Sequence, residues 1–157
     1  MELHTALIVV HAVSATGALL IGIPALWVPR LLGAQLTLVL VMTASLGGAV
    51  VIDLATGVPG RWVFVGLLAL ALAMCLSSFR AARWMTSRPA VGTQALGFSL
   101  ISLVTGFVAV SVIGAGWPVV VVTAAIAAPI LIGRALVDRL VSTRGATPAP
   151  VRRVRAA

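Results

Sequence analysis

Apolar residues run along this chain in long blocks, not in the alternation of a half-buried strand. Five blocks stand out, at about 3–27, 32–53, 62–79, 93–114 and 117–137. The segments between them carry the punctuation: Pro29 and Arg30, then Gly57, Pro59 and Gly60, then an arginine-bearing stretch ending at Pro89, then Gly114, Ala115 and Gly116. A helix rising about 1.5 Å per residue needs roughly 20 residues to cross a hydrocarbon core about 30 Å thick, so each block reads as a transmembrane helix. A membrane barrel is the poorer alternative, because its strands alternate apolar and polar positions. The pattern predicts an all-α integral membrane bundle of five transmembrane helices over residues 1–141. A disordered, arginine-rich tail is expected at 142–157, where Pro148, Pro150 and the arginines leave too little apolar surface to order the chain.

Composition agrees. The chain of 157 residues is 61% hydrophobic and 9% charged, against roughly 45–50% apolar residues in a soluble domain. Its eleven cationic residues are all arginines, and their order sets an orientation. Arg30, Arg80, Arg83, Arg88, Arg134, Arg139, Arg144, Arg152, Arg153 and Arg155 fall on one side of a five-span topology, and Arg61 falls on the other. Positive charge stays inside, which predicts an outside N-terminus and a cytoplasmic C-terminus. Trp27, Trp62, Trp84 and Trp117 fall at the expected helix ends, where indole rings favour the interface. Arginine without lysine suits a GC-rich bacterial genome, so a multi-pass protein of a bacterial plasma membrane is expected. The first block reads as a retained span, since it begins with Glu2 and has no early cation and no small-residue cleavage site.

The net charge of +8 follows from orientation, and no aromatic residue interleaves the tail arginines, so nucleic acid is not an expected partner. The expected partners are the bilayer and a second copy or another membrane subunit. Arg144, Arg152, Arg153 and Arg155 are candidate contacts for anionic lipid headgroups, at about 1 kcal/mol per charge near the surface; the plainer reading is a topology anchor.

Few residues inside the blocks carry chemistry. His4 and His11 are seven apart and share a helix face, about 10 Å along the axis, with Ser14 close to that face. They are candidates for a polar or proton path; the plainer reading makes His4 interfacial and gives His11 one bond to a neighbouring helix. Asp53 falls in the last turn of the second block, where the helix dipole disfavours a negative charge. Its expected compensation is an ion pair with Arg61 across the Gly-Pro-Gly turn, with Glu2 and His4 on the same side. Two histidines on one helix cannot clasp a haem iron from opposite faces. The single Cys75 excludes a disulfide framework and reads as a small buried residue.

Small residues recur at helical spacing at Ala15, Ala18 and Gly22, and again at Ser99, Ser102, Gly106 and Ala109, which predicts close helix packing. Pro129 predicts a kink. There is no nucleophile elbow and no phosphate-cradling loop, and acidic residues number three. No enzyme activity is expected, and no catalytic, cofactor-binding or metal residue is assigned.

The stretch from His11 through Gly17 to Leu26, followed by Pro29-Arg30-Leu-Leu-Gly33 and a helix bearing Met42, resembles the opening of a family of uncharacterised bacterial multi-helix membrane proteins. His11, Arg30 and Gly33 fit that pattern; Pro29 stands where a second His is found. The resemblance covers the first third of the chain and implies fold and location only. The leading functional expectation is a non-enzymatic structural or accessory subunit. The alternatives are a small transporter or proton-coupled carrier using His11 and Asp53, and a metal or redox accessory protein drawing on His4, His11, Met42, Met74 and Cys75.

Overall fold

The computed structural model describes residues 2–57 and 61–145, apart from the side chains at 61–63, 113–114, 119 and 144–145. Its elements are α1 (Glu2–Ala25), a 3-10 turn (Pro29–Leu31) that runs into α2 (Leu32–Thr56), α3 (Arg61–Trp84), α4 (Pro89–Gly114) and α5 (Val119–Gly145). Each of the five helices is long and apolar enough to cross a membrane, and the described residues contain no strand.

Boundaries move where local chemistry overrides hydropathy. Helix α3 continues through Arg80 and Arg83 to Trp84, five residues past the apolar block, and α4 begins at Pro89, a first-turn position that loses no helical hydrogen bond. The turn between them is closed by the Arg88 amide donating to the Trp84 carbonyl at 2.7 Å. Gly92 then lies so close to the backbone of Met85 that a Cβ would come within 2.6 Å of Met85 Cα. Helix α2 ends at Gly57, whose φ of 71° is the left-handed cap that glycine adopts without penalty. Helix α5 is continuous through Pro129 and extends to Gly145, so residues 142–145, expected in the tail, are helical; residues 146–157 lie outside the described residues.

Helix α2 is the centre of the molecule. Leu32, Gln35, Val39, Met42, Leu46, Ala49 and Asp53 are all buried, in the alternating three- and four-residue spacing of a packed helical seam. Ala71, Met74, Ser78 and Ala81 form a matching seam on α3, continued by Met85 just past its end. On α1 the buried line is Ser14, Ala18, Gly22 and Ala25. Each helix packs most extensively on its neighbour in sequence, and α1 also touches α4. That last contact is tight where Gly22 meets Leu100.

Helix α5 is different. It packs on α4 through two glycines, Gly97 against Val137 and Gly133 against Ile101. None of its described side chains is buried.

Candidate functional site

Antiparallel packing of α1 on α2 sets Leu7 against Gly48 and Leu38 against Gly17, and both histidines therefore face α2. His4 Nε2 stands 3.1 Å from Asp53 Oδ1. The approach has ion-pair distance without the alignment of an in-line hydrogen bond. The Asp53 side chain is 11% exposed and that of His4 36%. Asp53 thus finds a partner on α1; the expected pairing with Arg61 involves a side chain outside the described residues. His11 makes a bond of its own, with Nδ1 3.0 Å from the Met42 carbonyl. A carbonyl only accepts, so His11 carries its proton on Nδ1.

At the opposite end lies a polar cluster that the sequence reading did not single out. Gln35, Ser78 and Ser99, one each from α2, α3 and α4, are fully buried. Gln35 Nε2 donates to Ser78 Oγ at 3.2 Å and to Ser99 Oγ at 3.5 Å, and the two hydroxyls are 3.0 Å apart. Among the described residues Gln35 Oε1 has no hydrogen-bond partner. The signal for this cluster was present, because Gln35 lies on the same three-and-four stripe as Asp53. One helical layer away, the Thr43 hydroxyl donates to the Val39 carbonyl at 2.8 Å and lies 3.1 Å from Cys75 Sγ. Such bonds between helices in lipid contribute about 0.6 kcal/mol each, enough to fix register and little more.

The small-residue stripes divide into two halves. Near Gly22, Ser99 and Leu100 they pack as expected. Farther towards the Glu2 end, α1 and α4 separate, and a Cβ added at Gly106 would meet open space. The gap is a crevice of about 390 Å³. His11, Ala15 and Leu19 line one wall and Ser102, Gly106 and Phe107 the other, with Met42, Leu46, Ala71 and Met74 at the back. Among the described residues no charged side chain lines it, and His11 Nε2 has no hydrogen-bond partner. A second hollow, about 510 Å³, lies where α5 leans on α4, and its rim carries Gln94, Thr105, Arg134 and Asp138.

Of the residues expected from sequence, His4 and Asp53 are brought together, and His11 joins Met42 and Met74 around the crevice. Cys75 turns to Thr43 instead. Among the described residues no three His, Cys, Asp or Glu side chains gather as metal ligands. Arg152, Arg153 and Arg155 lie outside the described residues, as does the side chain of Arg144. No family, curated protein or solved structure matches the chain.

Proposed function

We propose that the chain is a multi-pass protein of a bacterial plasma membrane that serves as a non-enzymatic structural or accessory subunit, with its N-terminus outside and its C-terminus cytoplasmic. Five apolar helices support the membrane placement. Orientation is supported by the arginines, since the helix directions carry Arg30, Arg80, Arg83, Arg88, Arg139 and Arg144 to one end and Arg61 to the other, with Arg134 inside the span of α5.

The observation that carries the accessory role is α5. It has the length and hydropathy of a span, yet it buries no described side chain. On it Arg134 is 82% exposed and Asp138 65% exposed, with 3.9 Å between them. A charge facing hydrocarbon is disfavoured by about 2.5–3.5 kcal/mol even on the mildest scale, and such groups turn towards protein or water. Another membrane helix laid on this face with a polar or charged partner for them offsets that penalty, supplied by a second copy or by a different subunit.

Native mass spectrometry of protein gently extracted from its own membrane tests the reading. Added protein mass, lost when Leu131→Arg alters the face of α5 turned away from α4, is the expected result. A lone monomer under the same extraction, with Leu131→Arg leaving the host's phenotype intact, would overturn it. The carrier reading has less behind it: Asp53 is engaged by His4, His11 by Met42, and among the described residues no hydrogen bond joins the two pairs. Proton flux across liposomes is accordingly expected to be equal for the unaltered protein, His11→Ala and Asp53→Asn. A flux that falls in both variants would restore the carrier.

A further inference from the structure

We infer that the crevice between α1 and α4 is a binding site for a neutral lipid that carries a hydroxyl group, with His11 Nε2 as its hydrogen-bond acceptor. The volume of about 390 Å³ lies within the range of ligand pockets. Apart from Ser102, the walls beyond the rim are apolar, from Leu46 and Phe107 to Leu19 and Leu103, which suits a hydrocarbon chain. From His11 to Leu19 the helical rise gives the crevice a length of about 12 Å, and the contact of Gly22 with Leu100 closes it at the far end. The tail therefore points towards that closure, and the polar group lies beside His11.

Two observations fix the chemistry of the polar group. First, Nδ1–H is committed to the Met42 carbonyl, which leaves Nε2 as the ring's acceptor, and the ligand must donate to it. The Ser111 and Thr16 hydroxyls on the same rim already donate to the carbonyls of Phe107 and Ala12. Second, His11 lies about 13 Å below Glu2 by helical rise, and no charged side chain lines the crevice. A phosphate or carboxylate at that depth would be uncompensated. An alcohol satisfies both conditions, whereas a methyl ether or ester of the same chain has no donor.

The site rests on the membrane placement proposed above and is independent of the accessory role. Its test uses the whole chain in phosphatidylcholine vesicles with photoactivatable octanol, whose extended chain matches the length of the crevice, compared with the same probe as its methyl ether. Flotation with the vesicles is checked first; protein that stays behind overturns the placement and the site together. For floated protein, the alcohol is expected to label peptides containing Leu46, Phe107 and Val110 roughly fivefold more than the ether, the scale of one net hydrogen bond. Unlabelled octanol should compete. His11→Phe, which keeps an aromatic ring without the acceptor, should bring the alcohol down to the level of the ether, and Gly106→Leu, which fills the gap, should remove both. Equal labelling by the two probes in the unaltered protein, or labelling spread evenly to Leu131 and Val120 on α5, overturns the site even if a variant fails to fold.

Discussion

Glycine positions give the sharpest tests of individual contacts. At Gly92 a methyl group would strike the backbone of Met85, which cannot step aside as a side chain can. Gly92→Ala is expected to destabilise the protein by about 1–3 kcal/mol, as overpacking does. At Gly106 the same methyl meets nothing, and Gly106→Ala should be neutral or stabilising by up to about 1 kcal/mol through helix propensity. Thermal unfolding in one detergent compares the two; equal shifts would refute the packing described here. Gln35 offers a second contrast, because its Oε1 is already unpartnered. Gln35→Leu keeps the volume and should stay within about 1 kcal/mol of the unaltered protein, while Gln35→Ala opens a hole and should lose about 2 kcal/mol. For His4 and Asp53, a double-mutant cycle should return a coupling of about 1 kcal/mol or less, since the His4 side chain is partly solvated. A coupling several times larger would mean that the pair does more than hold α1 on α2.

The helices themselves were legible because their blocks are long and continuous, and hydropathy alone separates them. Their ends were less so. Arg80 and Arg83 lower the hydropathy of a segment that remains helical, since arginine is a good helix former and its charged head reaches away from the apolar stem. The face of each helix was legible in part. Ala18 and Gly22 lie in the packed seam, whereas Ala15 and Gly106 border open space. A stripe of small residues permits close approach without requiring it, and whether two helices meet along its whole length depends on what the other helices do. The stripe on α2 went unread because its apolar members blend into an apolar helix; only Gln35 and Asp53 contrast with their surroundings. The crevice itself belongs to no single helix and has no signature in the sequence.

Burial is distributed unevenly over the molecule, with α2 at one extreme and α5 at the other. Amide exchange should follow it, because segments with few buried contacts open at lower free energy. In detergent-solubilised protein the amides of α2 are expected to exchange most slowly and those of α5 fastest among the five helices, measured by hydrogen–deuterium exchange with mass spectrometry. Binding of a partner on the exposed face of α5 should slow that helix selectively. Uniform protection of all five in the isolated monomer would contradict the packing of α5 on α4 alone.

Because each helix packs chiefly on a neighbour in sequence, the order of synthesis is also an order of assembly. A hairpin of α1 and α2 has its main contacts before α3 is translated, and no major surface waits for a distant segment, which is the economy of low contact order. The exception is the meeting of Gly22 with Leu100, which joins the first helix to the fourth. That junction can form only after some hundred residues have left the ribosome. The crevice above it therefore acquires its second wall late in synthesis, and until then its apolar lining on the first three helices is open to whatever surrounds the nascent chain.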